Sequence, residues 1–479
     1  MDLKTLASAL LSQRFSLESL AKHLGTRTQK RKTDEHGRIT DAYLAYARDD
    51  VQVTWECFQA LKARYATHGL PRGPDRMLSE ASVGKAYLQQ MGIQPLLGCK
   101  PEFPRQQFGQ IFCAYYGGRA EVRNRRVISE ILYCDFKSMY PSVNSLMGLW
   151  EFVIADGFTV EDSTAETQEF LDSVTIEQLR NPDTWRKLRT LVRLIPPGDI
   201  LPVRAKYNEQ TRTIGLNQLT AEESLWYTLA DCIVSKLLTG KAPRIQKAQT
   251  YIPGKCQTGL KIINILGRDD YRIDPVNDDF FRRLIDLRDQ AKAERDPIEK
   301  TLKIIANSTS YGIFIEVNRD DAPKSERLNI YGPAGECEEI STRGIEDPGR
   351  YFHPLLAVLI TGAARLMLGI AENRVLTAGL DWAFCDTDSL SIIRPPRMPQ
   401  NKFEKTANSI VDWFTPLNPY KKPGSILKIE DINFGIHGRK ERTPLYCIAI
   451  SSKRYALFNV EKRKPVLRKA SAHGLGHLR

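Results

Sequence analysis

The stretch Trp382-Ala383-Phe384-Cys385-Asp386-Thr387-Asp388-Ser389-Leu390-Ser391-Ile392-Ile393 constrains this chain more than any other. Two short apolar runs flank Asp-Thr-Asp-Ser, four residues that favour turns. The pattern predicts a β-hairpin with two carboxylates at its tip. Carboxylates crowded at one tip repel each other unless a cation neutralises them. All-oxygen ligands suit hard ions such as magnesium or manganese. Taken alone, Asp-x-Asp has a plainer meaning, an ordinary acidic turn, because motifs this short recur by chance. The rest of the chain decides between the two.

The chain has 479 residues, long enough for two to four domains and a large core. With 69 Lys and Arg against 57 Asp and Glu, the net charge is 69 − 57 = +12. Such an excess points to a polyanionic partner, nucleic acid first and an acidic membrane surface second. The nine cysteines are scattered with no Cys-x-x-Cys pair, which argues against a disulfide framework or a zinc site and for a reducing compartment. The start lacks the charged-then-apolar pattern of a signal peptide. Leu355 to Ala371, the most apolar segment, is interrupted by Arg365 and is shorter than a bilayer needs, so it reads as a buried helix. The expected location is intracellular and DNA-associated, nuclear in a eukaryote, with no membrane partner.

Local signals place the remaining elements. Ser16 caps a helix that Gly25 stops, and Asp41 to Tyr65 continues the helical pattern up to a Pro/Gly run ending at Pro74. Ser79 to Met91 is a further helix. Val127 to Tyr133 turns strand-like and delivers Asp135 at its end. Tyr251-Ile252 and Ile262 to Leu266 read as strands. Asp279 to Arg295 and Ile298 to Ser310 form a cation-rich helical hairpin broken at Asp296-Pro297. Tyr331 to Arg350 reads as a Gly/Pro-rich loop. Residues 452–479 carry eight Lys and Arg, from Lys453 to Arg479, against one acid, Glu461.

Three stretches occur in order: Asp135-Phe136-Lys137-Ser138-Met139-Tyr140-Pro141-Ser142, then Lys303-Ile304-Ile305-Ala306-Asn307-Ser308-Thr309-Ser310-Tyr311-Gly312, then Phe384-Cys385-Asp386-Thr387-Asp388-Ser389. Their order and content resemble the family B DNA polymerases, with Asp-x-x-Ser-Leu/Met-Tyr-Pro-Ser, Lys-x-x-x-Asn-Ser-x-Tyr-Gly and Tyr-x-Asp-Thr-Asp-Ser. Tyr115-Tyr116-Gly117-Gly118 resembles that family's Tyr-x-Gly-Gly region. Lys453-Arg454-Tyr455 resembles its primer-holding Lys-x-Tyr motif, Leu427-Lys428-Ile429-Glu430 the strand before that motif, and Tyr46 with Asp50 its third exonuclease motif.

The resemblance implies an α+β fold: a palm with an antiparallel sheet, helical-hairpin fingers and a helical remnant of an RNase H-like exonuclease domain. By the same resemblance, residues 1–74 are the exonuclease remnant, 75–278 the first palm region, 279–312 the fingers, 313–440 the palm with the Asp-Thr-Asp-Ser hairpin, and 441–479 the palm–thumb junction and truncated thumb. The implied activity is DNA-directed DNA polymerisation on primer–template DNA from deoxynucleoside triphosphates, with two Mg2+ ions, or Mn2+. Nucleotidyl transfer needs two metals between carboxylates that converge from separate strands. The resemblance assigns Asp135, Asp386 and Asp388 to catalysis, and Asp135, Asp388 and the Phe136 carbonyl to the metals. Ser138, Met139, Tyr140, Arg288, Lys292, Lys303 and Asn307 fall to the nucleotide, with the ring of Tyr140 excluding a 2′-hydroxyl. Tyr115, Gly117, Gly118, Lys453, Arg454 and Tyr455 fall to the primer and DNA.

Three departures stand out. The family's Asn and Tyr of the second motif are three apart, whereas Asn307 and Tyr311 are four apart. One extra residue turns Tyr311 by about 100° on a regular helix and puts Lys303, Asn307 and Tyr311 on one stripe. Phe384 stands where the family has tyrosine. The family's first two exonuclease motifs would precede residue 1, and Asp50 cannot build a two-metal nuclease without them. The expectation is a polymerase without proofreading of its own, truncated or completed by a second chain that supplies exonuclease or thumb parts. The competing readings are an inactive remnant that binds nucleic acid and a lone exonuclease. The intact Asp135, Asp386 and Asp388 weigh against the first and the missing carboxylates against the second.

Overall fold

The computed structural model describes residues 2–206, 212–332, 336–435 and 441–472. Its centre is the strand Ser129–Phe136, which lies inside an eight-stranded antiparallel sheet. On one side follow Ser389–Ile393, Asp381–Asp386 and Ala120–Val122; on the other, Leu445–Ser451, Arg454–Glu461 and Lys464–Ala472, while Leu427–Ile429 pairs with the strand's end. The run Ile131-Leu132-Tyr133-Cys134 is apolar at every position because both faces are covered. Ile131 and Tyr133 join Phe384, Leu445, Tyr455 and Leu457 on one face. Leu132, Cys134 and Phe136 join the main core on the other.

The hairpin expected at 382–393 forms from Asp381–Asp386 and Ser389–Ile393. Its register sets Ser389 opposite Asp135, and the Phe136 N–H donates to the Asp388 carbonyl at 2.8 Å. The hairpin tip therefore abuts the end of the Asp135 strand.

The main core is built on the helix Pro354–Thr377, longer than the sequence reading and buried over nearly all its length. Among the described residues it is the one helix long and apolar enough to cross a membrane, and that stretch is wholly buried. Arg365 lies on it with no exposure and forms a two-pronged ion pair with Asp231 (2.7 Å for both bonds). The paired helices Phe280–Ala293 and Ile298–Thr309 stand over the first-motif helix Met139–Met147 and bury Leu284, Leu287, Leu302 and Ile305. Toward the chain start, Leu17–Leu24 is capped by Ser16 and stopped by Gly25 in the left-handed region, and Asp41–Ala66 and Glu80–Gln90 follow.

Two local expectations are corrected. The loop expected from Tyr331 to Arg350 is largely strand among the described residues: Val317–Tyr331 pairs with Cys337–Pro348 in a long two-stranded ribbon. Both faces of this ribbon are largely exposed, so no alternation of apolar and polar residues marks it. Ile262 to Leu266 is a strand only at Ile263–Asn264, and Leu266 sits at φ 52° in a tight turn. The basic segment after Lys453 extends the central sheet as Arg454–Glu461 and Lys464–Ala472, while Arg479 lies outside the described residues. Between the first two motifs lies a smaller four-stranded sheet, with a separate hairpin, Pro197–Lys206 with Arg212–Thr220.

Candidate active site

Asp135 is the penultimate residue of a buried strand, and it ends half-buried at the sheet's rim. After Phe136 the chain must turn, and Ser138 takes φ 46° to do so. The Ser142 hydroxyl donates to the Lys137 carbonyl at 2.8 Å and meets the Tyr420 hydroxyl at 2.8 Å, which closes the turn. Across the sheet, Thr387 adopts φ 62° at the hairpin tip and its N–H donates to the Arg119 carbonyl at 2.8 Å. The left-handed residue aims the two flanking aspartates differently.

Asp388 shares its surroundings with Asp135. Burial first, then the charge of Asp388, pushes the Asp135 carboxyl well up from its ordinary value. Burial and then Asp386 push Asp388 up. Neither carboxylate has an ion pair among the described residues. The nearest compensating charge is Lys469, whose ammonium bonds the Tyr133 hydroxyl at 2.9 Å and lowers both carboxyls only in part. Two partly buried carboxylates with no ion pair and only the partial compensation of Lys469 fit a hard cation. Among the described residues no three His, Cys, Asp or Glu side chains gather closely enough to hold a metal. A cation here would rest on two carboxylates, a backbone oxygen and non-protein oxygens, as magnesium commonly does.

Asp386 is turned elsewhere. Its oxygens accept from the Tyr455 hydroxyl at 3.4 Å and from Thr387 at 3.2 Å, with Lys453 at 3.8 Å. Tyr455 stacks on Phe384 with ring centres 4.1 Å apart.

Beside this corner lies a pocket of about 390 Å³ lined by Tyr115, Tyr116, Gly117, Gly118, Tyr140, Tyr311, Thr387 and Lys453, with Arg204 and Ile214. Gly118 has to be small: a Cβ there would stand 3.1 Å from the Tyr140 hydroxyl and 3.3 Å from the Thr387 methyl. Gly117, at φ 99°, offers its carbonyl to the buried Arg365. The Asn144 amide donates to the carbonyls of Tyr140 and Ser310, both at 2.9 Å, and so ties the first-motif helix to the end of the second. The Tyr140 and Tyr311 rings meet at 4.9 Å, and the hydroxyls of Tyr311 and Tyr115 are hydrogen-bonded. The helix ends at Thr309, so Tyr311 does not continue the expected stripe of Lys303 and Asn307; it lies beyond the helix at φ −159° and lines the tyrosine pocket.

The other expected residues divide. Lys303 and Asn307 are exposed on one helix stripe, and Lys303 forms no ion pair among the described residues. Arg288 is held by Glu299 at 2.8 Å. Lys292 lines a separate cleft of about 410 Å³ with Arg64, Arg295 and Lys300. Ser138 is half-buried, and the Met139 side chain is buried in the core, outside the pocket. Arg454 opens the strand that carries Tyr455. Asp50, far from this site in the chain, is ion-paired with Lys30 at 3.1 Å, and that lysine lies 5.7 Å from the centre of the Tyr46 ring. Lys469, Arg204 and the Asp231–Arg365 pair were not singled out from the sequence. Sheet register and helix packing alone bring them to the site.

No family model matches the chain, and no curated protein does. Solved structures do. Phi29 DNA polymerase in an orthorhombic crystal form aligns over 98% of this chain and 72% of its own, at 16% identity and a TM-score of 0.51. Phi29 DNA polymerase complexed with primer-template DNA and incoming nucleotide substrates aligns over the same shares at 15% identity and a TM-score of 0.51. At this identity the likeness establishes a shared polymerase-like α+β fold.

Proposed function

We propose that this chain is a family B DNA polymerase that adds deoxynucleotides to a primer 3′-hydroxyl under template direction. The observation that carries the reading is the meeting of Asp135 and Asp388, remote in sequence, at one sheet rim with no ion pair among the described residues. Asp135, Asp388 and the Phe136 carbonyl would hold magnesium or manganese. Such ions, when bound in a pair, stabilise the attacking and leaving oxygens of an in-line displacement.

The chain's own residues do the positioning. Tyr140, seated against Gly118 and Tyr311, presents a ring where a 2′-hydroxyl would clash. Lys303, Lys292 and Arg288 supply cations for the triphosphate. For Arg288 that role requires release from Glu299. Lys453 and Tyr455, beside Asp386, face the primer end, with Tyr115, Gly117 and Gly118 across the pocket. On this reading 279–312 are the fingers, 75–278 and 313–440 the palm, and 441–479 its continuation toward a thumb. On this reading the 1–74 region supplies no proofreading of its own, because Asp50 is the one carboxylate in it that matches an exonuclease motif.

The test is extension of a labelled primer on a template with magnesium and deoxynucleotides at low salt, alongside 3′-end digestion of single-stranded DNA. Extension without digestion is expected. A chain that binds the primer–template yet extends nothing is a DNA-binding relative, and the catalytic reading falls; rapid digestion would refute the statement on proofreading.

A further inference from the structure

The hairpin Pro197–Lys206 with Arg212–Thr220 belongs to none of the three motifs, yet it forms one wall of the tyrosine pocket. It docks along residues 115–121 at three points. Arg204 donates from Nη2 to the carbonyls of Tyr115 (3.1 Å) and Tyr116 (3.3 Å), and its guanidinium carbon lies 5.8 Å from the centre of the Tyr115 ring. Ile214, opposite Arg204 in the register, stands against Gly117, where a Cβ would lie 3.3 Å from its Cδ1. The Leu216 N–H donates to the Glu121 carboxylate at 2.5 Å. Arg204 has no carboxylate partner among the described residues, so its Nη2 serves the Tyr115–Tyr116 backbone.

Tyr115 passes that restraint inward. Its hydroxyl is bonded to Tyr311, whose ring is tilted 39° against Tyr140 at 4.9 Å. The chain of contacts runs from an exposed arginine on an accessory hairpin to the ring assigned to sugar selection.

We propose that Arg204 is a positioning residue for sugar selection, holding Tyr115 so that Tyr311 and Tyr140 keep the pocket closed to a 2′-hydroxyl. This rests on the polymerase reading above. The task needs the planar guanidinium, whose Nη2 reaches both carbonyls while the group lies over the Tyr115 ring; a lysine ammonium has no plane to lay on that ring.

The experiment compares incorporation of a deoxynucleotide and the matching ribonucleotide by the wild type, Arg204→Ala, Arg204→Lys and Tyr115→Phe, each as kcat/KM. Loss of charge-assisted bonds of this kind is expected to lower the deoxy-over-ribo preference about tenfold in Arg204→Ala. The change comes through the KM for the ribonucleotide, and Arg204→Lys does not restore it. Tyr115→Phe shows the same loss, and the double variant adds nothing further. The thermal midpoint stays at the wild-type value because Arg204 is exposed. An unchanged preference in Arg204→Ala, with wild-type extension intact, overturns this proposal alone. Full rescue by Arg204→Lys, with only primer affinity altered in Arg204→Ala, also overturns it and makes the residue a phosphate contact. A wild type that extends no primer overturns the polymerase reading and this proposal together.

Discussion

Asp231, fully buried, and Asp388, partly buried at the sheet's rim, are carboxylates treated in opposite ways. Asp231 receives two bonds from Arg365 at 2.7 Å, and the Thr228 hydroxyl and N–H as well. Asp388 faces Asp135 and Asp386 and has no ion pair among the described residues. Paired buried charges hold a fold in one arrangement, whereas an uncompensated pair costs stability that a ligand must offset. The region behind the sheet is thus finished as protein, and the rim is finished only with something else bound. The proposed chemistry falls at the rim, where the fold leaves its charge unsettled.

Breaking the settled side has the largest expected effect on stability. Asp231→Ala leaves Arg365 buried without its partner and is expected to cost about 3–5 kcal/mol, read as a lower denaturant midpoint. It also frees the Gly117 carbonyl from its restraint, so the tyrosine pocket loosens with it. A wild-type midpoint would mean that the pair does not organise the core.

His68 offers a second settled group. It is buried with Nδ1 2.7 Å from the Tyr87 hydroxyl, and burial lowers its pKa from 6.5 to about 4. Between those values the unfolded chain takes up a proton that the folded chain refuses, so stability falls as pH falls through that window. The loss is expected to reach about 3 kcal/mol at the acid end. Denaturant titrations of the wild type and His68→Gln at pH 7 and pH 4.5 check it, and parallel losses in both proteins would exclude the histidine as the cause.

The rim should respond with the opposite sign. Asp388→Asn removes a charge that Asp135 and Asp386 repel, so in metal-free buffer the folded state gains about 1 kcal/mol. A destabilised Asp388→Asn would erase the contrast with Asp231.

How much of this was legible in the sequence follows from the range of each signal. The hairpin at 382–393, the strand to Asp135, the Ser16 and Gly25 caps and the break at Asp296-Pro297 are written within a few residues of one another. The ribbon Val317–Tyr331 with Cys337–Pro348 was read in part as a loop because a strand wet on both faces has no hydrophobic period. Arg365 was visible as a charge in an apolar run, but Asp231 was not visible as its partner, because helix packing makes that pair. Lys469 reaches the aspartates only through the register of the last strand pair, and Arg204 reaches Tyr115 only through the docking of a separate hairpin. Three ordered motifs and the resemblance they carry named the three aspartates; long-range register separated Asp388, beside Asp135, from Asp386, beside Lys453 and Tyr455.

The central claim is that the unpaired rim carboxylates perform the chemistry, while acids already paired within the protein do not. Magnesium-dependent primer extension by the wild type, Asp388→Ala and Asp50→Ala, run side by side, tests it most directly. The account expects full extension from the wild type and from Asp50→Ala, whose carboxylate is already held by Lys30. Asp388→Ala should be slower by about a thousandfold or more, several kcal/mol of lost transition-state stabilisation. Extension by Asp388→Ala at the wild-type rate would contradict it.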